Sequence, residues 1–518
     1  MVIAVKIFIL AITTFFQQHP ALLYGLAFLI GCGFALQPQG VLLVPSLILC
    51  IPFLLKPLQR TVAMRQLLAG LMLGVGILYT QSTIQLPDTH MTKEFYGTAI
   101  FDVEDITLLS KHYGRTWRYR GKIRTFTADN KQIAFNITAT LQIPQNLLQP
   151  EADQSYLIHG TLRQVAPFRY ILIPDKEKPW RAIPWTYSLA KLRFQAKQSL
   201  SKYIQAHIAD PHTAAFLVGI ATGDFQDKLI SYEFNRFALQ HIMAISGFHF
   251  AIVVMLLSLM LSFALPRQKA HLLLLFLLTF YFIFLGNSPS IMRAWVSSTL
   301  LLLSTLIARS GSGLNSLGVG LLVILINDPL AATSMGFQFS FAATAAILLL
   351  FSPLDTLLQK IFPKRPLGIA IQMDNVNQHA YMLLSWCRQG IALTFAVNSV
   401  ALPLTFFYFL KFPLMGLLYN LFFPFMVSFS MVLLISGLIA GMLYAPFGSA
   451  IHTMNSAYTE FVLSYTYNMP TTLDYFWRVS PFSASIIIVQ LTVLFLVGIW
   501  AKANAEKKRR EMDDWAFA

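Results

Sequence analysis

Charge is the scarcest property of this 518-residue chain: Asp, Glu, Lys and Arg make up 12% of it, against 56% hydrophobic residues. Soluble domains carry about 25% charged residues. Half that density over this length excludes an ordinary soluble protein and implies a polytopic membrane protein. Cysteine is nearly absent too. Cys32, Cys50 and Cys387 lie in or beside apolar runs and form no C-x-x-C, which argues against a structural zinc site or a disulfide framework. No metal site or cofactor is expected. No G-x-x-x-x-G-K-[ST], H-E-x-x-H or G-x-S-x-G stretch occurs, so the sequence offers no ATP site and no common hydrolase pattern. Internal repeats are lacking as well.

What is present is a cationic excess: 38 Lys and Arg against 23 Asp and Glu, a formal net charge of +15. In a membrane protein such an excess usually sits in cytoplasmic loops. A polyanionic partner such as nucleic acid is the second reading of the same number.

The N-terminal "MVIAVKIFILAITTFF" is signal-like but is followed by no A-x-A site, so it reads as an anchor or interfacial helix. Further apolar segments near 20–36, 41–55 and 64–80 complete an N-terminal helical region, 1–80. Residues 87–180 differ. "YGTAIFDVEDI", "RTWRYRGKIRTF", "QIAFNITATLQI" and "SYLIHGTLRQV" alternate like strands between turn-forming "TADNK" and "PQNLLQPEADQ". They predict a small β-barrel of the OB type inserted between membrane segments. Residues 185–208 keep helical apolar spacing with Lys191, Arg193, Lys197 and Lys202 mostly on other faces. That pattern predicts a basic amphipathic helix lying on the membrane. A second membrane block, 212–502, offers spans at 241–265, 270–286, 290–308, 314–326, 333–351, 390–410, 413–426, 427–444 and 484–502. The more polar 450–468 reads as interfacial, and 503–518 as a cytoplasmic tail. Loops with several cations, such as those holding Arg267 and Lys269, or Lys360, Lys364 and Arg365, all fall on one side with the terminal "KKRR". That side is the cytoplasm by the positive-inside rule, which places 87–180 outside it.

Two groups of residues are candidates for chemistry. Polar side chains at membrane depth are costly and so functional by default: His241, Ser246, His249, Asn287, Arg293, Gln338, Asn398 and Asn420. They recur on successive spans beside Gly or Pro, as expected of a polar-lined conduit or of polar glue between helices. His241 and His249 are eight residues apart, about 12 Å along a straight helix, too far to share a metal. The second group is "KHYGRTWRYRGKIRTF", 111–126. Lys111, Arg115, Arg118, Arg120, Lys122 and Arg124 interleave there with Trp117 and Tyr119. Cations for phosphates and rings for bases are how OB-type domains hold single strands; a solvated hairpin with its rings in the core is the competing reading.

These motifs together resemble the ComEC family of competence proteins, inner-membrane DNA channels of natural transformation. "HIMAISGFH" (241–249) is similar to the family's H-h-h-A-h-S-G-h-H. "FLVGIATGD" (216–224), "SPSIMRA" (288–294), "NDPL" (327–330), "GFQFSF" (336–341), "LPL" (402–404) and "YNLFFP" (419–424) follow in the family's order. The resemblance implies passage of single-stranded DNA across the bacterial cytoplasmic membrane, through the 212–502 block. It also implies an extracytoplasmic DNA-delivery protein, a cytoplasmic helicase-like ATPase and a channel of one or two subunits. No H-x-H-x-D-H stretch follows "KKRR", so a channel form lacking the family's metallo-β-lactamase-like domain is expected, and no enzyme. A secondary transporter for a small solute, or an intramembrane hydrolase using Ser246, are the alternatives.

Overall fold

The structure is a computed structural model. It describes all residues except 1, 39, 51–59, 89–92, 112–113, 145–149, 226, 244–246, 308–310 and 517–518. Four helices come first: α1 (Val2–Gln18), α2 (Pro20–Leu36), α3 (Leu43–Cys50) and α4 (Arg60–Thr83). The apolar α1 turns through 100° into α2 at His19. Close backbone approach fixes the α2–α4 pair: a Cβ on Gly31 would meet the Leu73 carbonyl, and one on Gly76 would lie 2.6 Å from the Phe28 carbonyl. Small residues let helices approach this closely where lipid supplies no hydrophobic drive.

Six strands follow: β1 (Glu94–Lys111), β2 (Gly114–Ala128), β3 (Lys131–Pro144), β4 (Ser155–Ala166), β5 (Arg169–Pro174) and β6 (Arg181–Ala182). The β2–β3 hairpin turns on Asp129 and Asn130, both at positive φ, the geometry that matches strand twist in a two-residue turn. Antiparallel β1–β2, β2–β3, β4–β5 and β1–β4 pairs and a parallel β3–β5 pair return the order to its start. Alternate residues, among them Phe101, Tyr119, Ile123, Ile137, Ile158 and Leu172, are buried and make the core of this domain.

Helices resume with α5 (Ala190–His207), α6 (Pro211–Thr222), α7 (Lys228–Arg236), α8 (Gln240–Met243), α9 (Gly247–Ala264), α10 (Arg267–Leu285), α11 (Pro289–Leu306) and α12 (Gly313–Asn327). Then come α13 (Met335–Leu358), α14 (Leu367–Ile371), α15 (Asn375–Phe409), α16 (Met415–Leu443), α17 (Ala445–Tyr467) and α18 (Ala484–Ala516). A short ribbon pairs β7 (Lys411–Pro413) with β8 (Phe476–Arg478). Among the described residues seven helices are long and apolar enough to cross a membrane, or eight counting the bent α1–α2 pair as one span.

Two expectations are corrected. The spans expected at 413–426 and 427–444 are one helix, α16, running through Pro424. Proline removes one hydrogen bond, which neighbouring helices make tolerable in such a setting. The segment 450–468, expected at the interface, is α17 packed on α16 with His452, Asn455 and Thr459 buried. Its polarity is turned toward protein: Thr459 Oγ1 lies 3.0 Å from Ser430 Oγ and 3.0 Å from Asn455 Oδ1.

Candidate functional site

The basic strand β2 alternates. Tyr119, Gly121 and Ile123 point inward and are buried, while Arg118, Arg120 and Arg124 are exposed and Lys122 is half-buried. Opposite them on β1, Thr107 pairs with Arg118, Asp105 with Arg120 and Asp102 with Lys122. Arg124 donates to both oxygens of Asp102, at 3.1 and 3.0 Å, and Arg118 Nε donates to Thr107 Oγ1 at 3.1 Å. Lys122 reaches off the domain. Its Nζ donates to the Asn327 carbonyl at 3.1 Å, at the end of α12. Lys122 is thus the cation of this row with a described hydrogen bond to the helical block.

The aromatics of that strand do not join them, which corrects the expectation of rings open for base stacking. Tyr119 is fully buried, packed on Trp180 with its hydroxyl donating to the Pro150 carbonyl. Trp117 stands edge-on to Phe194 of α5, 5.5 Å between ring centres. Period-2 alternation sends odd-numbered positions inward wherever even ones face out. The side chains of Lys111 and Arg115 lie outside the described residues.

Packed against the β domain, α5 supplies further cations. Arg193 Nη1 donates to the Glu104 carbonyl at 2.7 Å and its Nε to the Ile283 carbonyl at 2.8 Å, tying β1 to the end of α10. Lys197 pairs with Asp224 at 3.3 Å, and Lys191 pairs with Glu151. Three of the helix's four cations thus engage protein. Carboxylates complete the junction. A register shift between Val103 and Asp105 accommodates Glu104. Burial pushes the carboxyls of Glu104, Asp224 and Asp328 up from their ordinary values, against nearby Lys122 for Glu104 and Asp328 and Lys197 for Asp224. Asp224 and Asp328 stand in the family-like stretches "FLVGIATGD" and "NDPL", whereas Glu104 has no sequence signal, being an isolated carboxylate until the β domain docks.

Deeper in the block, the helix starts converge on Arg293. Ser288 caps α11 by accepting from the Ile291 N–H, which sets Arg293 on the second turn. Its Nε donates to Ser340 Oγ of α13 at 2.8 Å. A Cβ on Gly247, the first residue of α9, would lie 2.8 Å from Arg293 Nη2, and Gly320 of α12 borders the same side chain. No carboxylate pairs with Arg293 among the described residues. Gln338, two residues earlier on α13, donates to the Ala332 carbonyl and accepts from the Tyr408 hydroxyl at 2.6 Å, linking the 329–333 turn to α15. His249 is buried at the start of α9. His241 hydrogen-bonds to the Ala238 carbonyl, and Asn287 is exposed in the turn between α10 and α11. Asn398 and Asn420 are half-buried on α15 and α16, and no described hydrogen bond joins them to Arg293. Ser246 lies outside the described residues.

The arrangement defines a helical membrane protein with a β domain docked by charged groups on helices that hold an arginine with no carboxylate partner among the described residues. Residues 226–504 match the family model described as "Competence protein". The chain belongs to that family. It is 26% identical over 182 residues to "ComE operon protein 3" of Bacillus subtilis (strain 168), a match covering 32% of this chain and 23% of that relative. No solved structure matches it.

Proposed function

We propose that this chain conducts single-stranded DNA across the bacterial cytoplasmic membrane during natural transformation. Arg293 is the observation that carries the reading. A guanidinium within a membrane block is expensive unless something compensates it, and it stands where three of the family-like stretches meet: "HIMAISGFH", "SPSIMRA" and "GFQFSF". A phosphate passing that point would supply the missing anion. Above it, Arg118, Arg120, Lys122 and Arg124 offer a cationic track between the β domain and the helices. The pairing order of the strands, with β3 parallel to β5, supports an OB-like barrel spanning 87–180.

In this reading 1–80 and 212–502 are the membrane regions, 185–208 joins the barrel to the second, and 503–518 is a cytoplasmic tail. The cationic loops support a barrel outside the cytoplasm and a C-terminus inside it. Force comes from a cytoplasmic helicase-like ATPase, and DNA arrives from an extracytoplasmic delivery protein. The remaining candidates, His241, Ser246, His249, Asn287, Gln338, Asn398 and Asn420, line or brace the passage. Uptake of labelled DNA by cells lacking the gene tests the role: internalised label falls to background if the reading holds, and wild-type levels would refute it.

A further inference from the structure

The segment joining β6 to α5 displays aromatics that no contact among the described residues covers. Trp185 is 90% exposed and Tyr187 87%, followed by Leu189 at 51% and Leu192 at 64%. Four large apolar side chains within eight residues are an unusual thing to leave in water. The display is built rather than loose. Thr186 Oγ1 donates to the Ile183 carbonyl and accepts from the Ser155 N–H, and the Ser188 N–H donates to the Asp153 carbonyl. Between those ties Trp185 sits at φ +63°, a left-handed conformation that costs a bulky residue and is kept where the surroundings enforce it.

What covers this patch follows from where it is fixed. Arg193, one residue beyond Leu192, holds the Ile283 carbonyl at the end of α10. Along α10 the residues Leu272, Phe276, Phe280 and Ile283 are all exposed. Their spacing of three and four residues puts them on one stripe, the lipid-facing side of a helix long enough to span. The stripe runs out at the point where α5 begins. Arg181, four residues before Trp185, is exposed on β6 and suits a lipid phosphate.

We propose that Trp185, Tyr187, Leu189 and Leu192 seat in the headgroup zone of the leaflet nearest the β domain, and so fix that domain's height and tilt over the helical block. Amphipathic rings favour that zone. The inference rests on the membrane reading of α10 and not on DNA transport. It also narrows the membrane contact expected of the whole 185–208 helix to its leading segment, Trp185 to Leu192.

The test uses the full chain with its three cysteines replaced by serine, in nanodiscs of phosphatidylethanolamine and phosphatidylglycerol. An environment-sensitive fluorophore is attached at Tyr187→Cys, and at Asn130→Cys on the β2–β3 turn as the aqueous reference. The expected result is blue-shifted emission at 187, quenching by lipids brominated near the headgroup, and no response to a thymidine oligonucleotide. The label at 130 should instead be quenched by iodide. Iodide quenching at 187 equal to that at 130 would overturn the proposal. So would an emission change on adding oligonucleotide without any quenching by brominated lipid, which would make the patch a base-stacking surface. Should Tyr187→Cys fail to fold, Leu192→Cys is read in the same way.

Discussion

At Arg293 one side chain is held by a single described hydrogen bond, to Ser340, and reached by a glycine from a third helix. Charge and shape therefore make separable contributions. Arg293→Gln removes the cation, and uptake of labelled DNA should fall by roughly tenfold or more, the scale of one lost charged hydrogen bond. Arg293→Lys keeps the charge but loses the planar fork, so uptake should be intermediate. Equal uptake in all three proteins would leave Arg293 a packing residue. Arg236 makes the opposite case, a cation fully satisfied. It donates to both oxygens of Asp474, to Glu233 and to the Met469 carbonyl. Those bonds, with Asp474 foremost, hold its pKa above the ordinary value. Arg236→Ala strands two largely buried carboxylates, and thermal unfolding in detergent should show a loss of about 3–5 kcal/mol.

At the scale of elements, β2 shows what alternation reveals and what it hides. Period 2 was enough to predict the strand and its row of cations. It was not enough to say what that row faces, because Lys122 meets Asn327 across some two hundred residues of sequence, a tertiary contact that no local pattern encodes. The same limit applies to α17, where the sequence shows polar residues but not whether lipid headgroups or another helix satisfies them. Pro424 misled for a related reason: a break in the sequence pattern is not a break in a helix braced by its neighbours. Replacing Arg118, Arg120 and Arg124 with Gln in the full chain should weaken binding of a labelled oligonucleotide and flatten its salt dependence. The slope should drop by roughly 0.7 for each phosphate contact removed; an unchanged slope would mean the row serves only to dock the β domain.

The docking itself carries a pH signature. Glu104, Asp224 and Asp328 have carboxyls raised by burial, so the folded junction binds protons more tightly than the unfolded chain. Their contribution is greatest below the ordinary carboxylate range and is lost as pH rises through the raised folded values. Hydrogen exchange along β1 should accordingly quicken as pH climbs out of that range, beyond the intrinsic rate change. Asp224→Asn should blunt the effect.

At the scale of the whole molecule three parts connect: a six-stranded β domain with cations on β2, a charged junction of α5 with the ends of α10 and α12, and a helical block that holds Arg293. Their order was legible in the sequence as a soluble insert between membrane regions and as a run of family-like motifs. Their convergence was not, since the three stretches that meet at Arg293 lie up to about a hundred residues apart and come together only through packing. The central claim is that DNA passes Arg293. A photocrosslinking amino acid placed at Gln338, two residues before Ser340 on α13, with one at Phe276 on the exposed apolar stripe of α10 as control, tests it during uptake of labelled DNA. Capture of the strand at 338 and none at 276 is the predicted result. Full DNA internalisation with no capture at 338 would contradict a path through this site.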